Sequence, residues 1–186
     1  RDVLGSRGLG DVYKRQDVTI IAGCGIHNAT CSDAEHDGIH TFYVSKNAKV
    51  RYLERHYASG GGSGKKVFDP ITKIYLKENA QFTLESTQLG GVTYTDRKTY
   101  ATLGKRAQLL VKEKILTDGE ERALTDFKVR LNGKNSRTDI VSRSVAKGKS
   151  FQHFRSDLIG KNECFGHVEC DGIVLEEARI MSTPKI

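Results

Sequence analysis

The chain has 186 residues, 37% of them hydrophobic, and carries 30 Lys and Arg against 23 Asp and Glu for a net charge of +7. This length suits one domain or a piece of a larger repeat protein. No stretch approaches the ~20 apolar residues of a membrane-spanning helix, and nothing resembles a secretory leader. Four cysteines (Cys24, Cys31, Cys164 and Cys170) are too few for a disulfide scaffold here. The composition therefore predicts a soluble, cytoplasmic protein with reduced thiols. Its cations alternate with apolar residues instead of clustering, which reads as solvated strand faces and not as a nucleic-acid surface.

Residues 1–16 lack an initiator Met and strand alternation and look like translated adapter sequence, so they are read as a non-native leader and set aside. From Val18 onward, short runs of β-branched and aromatic residues are punctuated by Gly, Asn and Asp, with almost no helical periodicity. Strands are expected, in chain order, at Val18 to Ala22, His40 to Val44, Lys49 to Arg55, Lys73 to Leu76, Gln81 to Ser86 and Thr93 to Thr95. They continue at Gln108 to Lys112, Thr125 to Leu131, Arg137 to Ser142, Phe151 to Leu158 and Ile173 to Leu175. The longest loop, Ala58 to Lys66, has a Gly-Lys pair but lacks the first Gly and the Ser or Thr of a phosphate loop, so it reads as a flexible surface excursion.

A phrase recurs through this pattern, most clearly around Gly104-Lys105-Arg106-Ala107, Gly133-Lys134-Asn135-Ser136 and Gly160-Lys161-Asn162-Glu163, with relatives ending at Ala48 and Ala80. The glycines are spaced by 29 and then 27 residues, the mark of one unit stacked on copies of itself. Counting two and four residues from the small residue of each phrase places Val50 and Tyr52, Phe82 and Leu84, Leu109 and Val111, and Thr138 and Ile140 on one inward face. Each period holds at least two strands and two turns. The expected fold is an all-β, right-handed parallel β-helix of coils of about 27–29 residues, with a β-sandwich as the alternative. The domain is expected to span 17–186 and to be incomplete at its C-terminus.

Thiols and imidazoles concentrate around Cys24 to Cys31, with His36 and His40, and around Cys164 to Cys170, with His167. Neither group has paired CxxC zinc spacing. In the second, the repeat register puts His167 where earlier copies put Val111 or Ile140, so the strand is expected to bulge or shift. A thiol beside an imidazole can be held partly as thiolate, the nucleophilic and metal-binding form. His56 reads by default as an ordinary strand-end residue. No nucleophile elbow is present and no two acids stand out, so a β-helix polysaccharide enzyme is the weaker alternative.

The segments GCGIHN around Cys24, HDGIHTFYVSKNAKVRYLERHY (36–57), DPITKIYL (69–76), VSRSVAKGKS (141–150) and NECFGHVECDGI (162–173) resemble the SufB/SufD family of iron-sulfur cluster assembly scaffolds. The resemblance runs from about Asp17 to Ile186. It implies a non-enzymatic scaffold that accepts persulfide sulfur and helps build a transient iron-sulfur cluster. The implied partners are a SufC-type ATPase, a SufB/SufD-type subunit and a cysteine desulfurase or sulfur-transfer protein. By the same resemblance Cys24 is the sulfur entry point, His56 and Lys73 line an internal route, and Cys170, with His167 nearby, holds sulfur or iron at the assembly site. Retention of Cys170 favours SufB over SufD, the latter remaining as a structural alternative.

Overall fold

The computed structural model describes the backbone of residues 3–12 and all of residues 16–186. Among these every regular element is a strand, and every strand pairing is parallel. One sheet runs β1 (Val3–Val12), β3 (Ala34–Val44), β5 (Lys66–Phe68) with β6 (Ile71–Leu76), β8 (Tyr94–Leu103), β10 (Arg122–Leu131), β12 (Phe151–Gly160) and β14 (Arg179–Lys185). The other, in the same direction along the axis, holds β2 (Asp17–His27), β4 (Lys49–Ser59), β7 (Gln81–Gln88), β9 (Gln108–Thr117), β11 (Ser136–Ala146) and β13 (Cys164–Val174). The chain alternates between the sheets, so each circuit stacks on the last and the whole is a parallel β-solenoid of about 6 turns. Val3–Val12, within the segment set aside from the sequence, lies beside β3 as an edge strand.

The recurrent phrase is the corner that enters the second sheet. Asn47, Asn79, Arg106 and Asn135 adopt φ between 54° and 61°, the left-handed conformation that Asn tolerates better than most residues. Each donates its backbone N–H to the next coil, Asn79 to Lys105 and Arg106 to Lys134 for example. The following residue, Ala48, Ala80, Ala107 or Ser136, is fully buried, because the corner has room only for a small side chain. From that anchor the pleat's period of two takes over. All eight inward residues expected at plus two and plus four are buried. Facing them across the narrow interior are Phe42, Ile74, Phe127, Val129 and Phe154.

Three details differ from expectation. The register steps from Asp17 to Lys49 to Gln81 by 32 residues each, and only later by 27 to 29, because the first two coils carry longer corners. The Gly-rich excursion is itself a stacked corner: Gly62 and Gly64 donate to the carbonyls of Asn28 and Thr30 at 3.1 Å, and Lys66 Nζ reaches the Gly60 carbonyl at 2.7 Å. Finally, β13 does not bulge but takes the one-residue shift the sequence allowed, and it takes it before the strand begins. Its corner has one extra residue, Glu163, so Cys164 pairs with Ser136, Val168 with Ile140, and His167 with the outward Asp139.

Coil stacking fixes where a side chain is forbidden. A Cβ on Gly133 would lie 2.0 Å from the Lys105 nitrogen of the coil below, whereas one on Gly61 meets nothing within 4 Å. Gly133→Ala should lower stability by about 2–3 kcal/mol in urea unfolding, the usual cost of overpacking against atoms that cannot yield, while Gly61→Ala should stay within about 0.5 kcal/mol of the parent.

Candidate functional site: a polar seam between two cysteines

Beyond plus four, the inward face of the second sheet changes character. The plus-six positions are Glu54, Ser86, Glu113, Ser142 and Cys170, one above the other in register. The plus-eight column begins with Cys24 on β2 and passes through His56 and Gln88. All but the two cysteines are buried: Glu54, His56, Ser86, Gln88, Glu113 and Ser142. A buried charge is tolerated only if paired, and the opposite sheet supplies the pairing.

Arg97 of β8 crosses the interior. Its Nη2 donates to His56 Nδ1 at 2.5 Å and its Nη1 to Ser86 Oγ, and Nη1 lies 3.6 Å from Glu113 Oε1. Glu113 accepts from Thr125 Oγ1 at 3.1 Å and from Ser142 Oγ at 2.7 Å. At the Cys24 end, Tyr52 donates its hydroxyl proton to Glu54 Oε1 at 3.2 Å. The His40 Nδ1–H then donates to the Tyr52 oxygen at 2.8 Å. His40 Nδ1 also lies 3.3 Å from Glu54, and His56 Nε2 lies 3.4 Å from it, the latter without hydrogen-bond alignment. Phe68 stacks on the His56 ring at 5.1 Å between centroids.

Ionisation follows from these contacts. Burial alone would raise Glu54, but His40, His56 and the Arg97 charge hold it well below the ordinary carboxyl value. Glu113 is pushed upward, since burial outweighs Arg97 and its hydroxyl donors. His56 is pushed down, by burial and then by Arg97, so the ring is neutral. Both thiols are raised: Cys24 by burial and then by Glu54, with Arg97 opposing, and Cys170 by burial, with a Ser182 hydrogen bond opposing.

The structure therefore brings together Cys24 and His56, and places Cys170 at the head of the seam. All four cysteines are free thiols. Lys73 does not join them. Ile74 and Leu76 are buried on the inward face of β6, so Lys73 points outward, between Thr41 and Tyr100. His167 also lies outside, three residues from Cys170 and so on the opposite face of β13. It sits 2.7 Å from Asp139, and that hydrogen bond raises it above the ordinary imidazole value. Glu54, Arg97, Glu113, Ser86 and Ser142 were not foreseen, although extending the inward count from plus four to plus six finds all of these but Arg97.

A family model described as "SUF system FeS cluster assembly, SufBD core domain" matches residues 6–186. The chain belongs to this family. A protein of Archaeoglobus fulgidus named "Iron-sulfur cluster assembly SufBD family protein" is 29% identical over 166 residues, 89% of this chain and 43% of that relative. Two relatives from strains of Methanothermobacter thermautotrophicus are each 27% identical over 177 residues, 93% of this chain and 42% of theirs. This SufBD core chain thus spans about two-fifths of the length of the curated relatives it matches. Among the described residues no helix is long and apolar enough to cross a membrane.

The depressed Glu54 gives the seam a pH signature. A carboxyl lowered on folding contributes stability above its unfolded value of 4.5 and loses it as pH falls through the folded value. Glu54→Gln should therefore cost about 3 kcal/mol at neutral pH, as expected when a buried pair is broken. The deficit should shrink as pH drops below 4.5. Urea unfolding across a pH series measures both.

Proposed function

We propose that this chain is the β-helix core of a SufB-type scaffold. It takes sulfur at Cys24 and delivers it through its interior to Cys170, where a transient iron-sulfur cluster is assembled as cargo. The observation that carries this reading is the buried polar seam, which leads from the coil of Cys24 and His56 to Cys170 through Glu54, Arg97, Ser86, Glu113 and Ser142. An apolar solenoid needs no such seam. Family membership supports the assembly role, and the thiol at position 170 favours a SufB-type subunit over the SufD-like alternative.

Distance constrains the chemistry. Cys24 and Cys170 sit on strands five places apart in one sheet, about 24 Å at the usual spacing of about 4.8 Å. Neither the plus-six nor the plus-eight column holds a thiol between them, so Cys170 cannot attack a persulfide on Cys24 directly. Sulfur crosses as a small species. A persulfide on Cys24 is a reversible oxidised cap, and two thiols of an external reductant convert it to the Cys24 thiol, hydrogen sulfide and one disulfide. Cys170, half-buried in β13 of the second sheet, would receive the sulfide with iron, since thiolates are the usual cluster ligands. Lys73 and His167, on the outer faces, have no part in the interior route. A SufC-type ATPase, a second SufB/SufD-type subunit and a desulfurase-linked donor are the partners this role requires.

The test is anaerobic reconstitution of the full-length protein from iron and a persulfide donor, with cluster formation followed by absorbance and bound sulfide by mass spectrometry. Cys170→Ser should reduce cluster yield at least tenfold while leaving Cys24 persulfidation intact. Cys24→Ser should abolish sulfur loading. An undiminished yield from the Cys170→Ser protein would remove Cys170 from the site.

A further inference from the structure

The fold gathers cations that the sequence spreads out. Each circuit enters the second sheet through the same corner, and the corners stack, so residues far apart in the chain share one ridge. Lys46, Lys77, Lys105, Arg106, Lys134 and Lys161 lie in its turns. Lys49, Arg130 and Arg137 hold the strand positions that flank them, and all nine are exposed. The five corners (43–49, 75–81, 102–108, 130–137 and 159–165) contain only two acids, Glu78 and Glu163. Nine cations against two acids give the ridge a net charge of +7, the same as the whole chain. Along the opposite corner the signs are mixed: Asp118, Glu120 and Glu121 precede Lys147 and Lys149, and Glu176 and Glu177 follow.

The ridge does not neutralise itself. Glu78 is shared by Lys46 at 2.6 Å, Arg106 at 2.7 Å and Lys105 at 3.9 Å, and Glu163 takes Lys134 at 3.2 Å. Lys49 has Asp17 beside it in register, whereas Lys77, Arg130, Arg137 and Lys161 make no ion pair with another described residue. Like charges held on neighbouring strands repel, a cost that a negative partner removes. Beside the ridge, the exposed Tyr43 and Tyr75 stack with centroids 5.0 Å apart and planes at 10°. With Val44, Leu76 and Lys77 they line a notch of about 440 Å³. Tyr43 covers one face of Tyr75 and Thr102 stands in register on its other side, so the pair is no platform for a row of stacked bases. It is a seat for an apolar side chain. We propose that this corner is a docking surface for an acidic protein, which sets an apolar side chain in the Tyr43–Tyr75 notch and its carboxylates on the surrounding cations. Complementary charge selects such a partner and speeds the encounter, while the seated anchor supplies affinity. The corner shares no residue with the polar seam, so the inference is independent of the roles given to the cysteines.

The test is fluorescence anisotropy on the whole chain with three fluorescein-labelled probes: a peptide of Asp and Glu around one central Phe, the same peptide with Ala in that place, and a single-stranded oligonucleotide of equal charge. The parent should bind the Phe peptide about tenfold more tightly than either other probe, and should lose about tenfold as ionic strength rises from about 50 to about 200 mM. Lys77→Gln/Arg130→Gln/Arg137→Gln should weaken binding about tenfold. Lys147→Gln/Lys149→Gln/Arg179→Gln, which takes the same charge from the other side of the solenoid, should change it by less than about twofold. Tyr75→Ala should bring the Phe and Ala peptides to equal affinity. Absence of binding overturns the proposal, as do equal losses from the two charge variants or a Phe peptide that binds no better than its Ala twin. An oligonucleotide held as tightly as the Phe peptide would make the ridge a nucleic-acid surface and overturn it too. Should the Lys77→Gln/Arg130→Gln/Arg137→Gln protein lack the parent circular dichroism, the Tyr75→Ala comparison decides alone.

Discussion

Hydrogen bonding between stacked coils fixes the parity of the strand side chains from β2 (Asp17–His27) onward. Once a left-handed Asn or Arg at the corner has closed the turn and a small residue has filled it, each later residue of the strand is committed to inside or outside for about ten positions. The first half of each strand uses that commitment conventionally, with Val, Leu, Phe and Ile inward. The second half places Glu54, Ser86, Glu113, Ser142 and Cys170 inward at one level, and parity gives none of them a way out to solvent. Everything notable about the interior follows from having to satisfy that column. Glu113 requires Thr125, Ser142 and Arg97, while Glu54 requires Tyr52 and His40. Arg97 reaches across the space between the sheets to pair with Glu113 and to bond His56 and Ser86.

Such a column is costly to keep. Apolar replacements of similar volume commonly leave a protein as stable or more so than a buried ion pair, and five coils of Leu and Val at this level would satisfy the fold. The other half of the same strands already shows that alternative. The polar half therefore reads as more than packing, and it holds a half-buried thiol near each end of the stack in neighbouring columns, Cys24 at plus eight and Cys170 at plus six.

Much of this was legible in the sequence, and parity explains the rest. The recurrent phrase revealed the corners, and counting by twos from Ala48, Ala80, Ala107 and Ser136 gave the apolar face correctly. Carrying the count two residues further would have found the seam. The same rule applied to Ile74 and Leu76 would have turned Lys73 outward. His167 was misplaced because Gly160-Lys161-Asn162 was aligned on its glycine, whereas Glu163 adds one residue to that corner and inverts everything after it. One inserted residue flips a whole strand, and no phrase match reveals it. Arg97 was beyond reach for a different reason: which residue of one sheet faces which residue of the other depends on the lengths of the corners, and those change from 32-residue to 27-residue steps between the early and late coils.

The electrostatics also say what kind of interior this is. Both thiols are raised by burial, so neither is a resting thiolate of the sort found in exposed redox sensors. A buried thiol that stays protonated resists adventitious oxidation. The cost is slow nucleophilic attack, and at Cys24 the carboxylate of Glu54 adds to that cost more than the guanidinium of Arg97 relieves it. Of the two, Glu54 bears more strongly on Cys24, so burial and that acid together keep the thiol protonated.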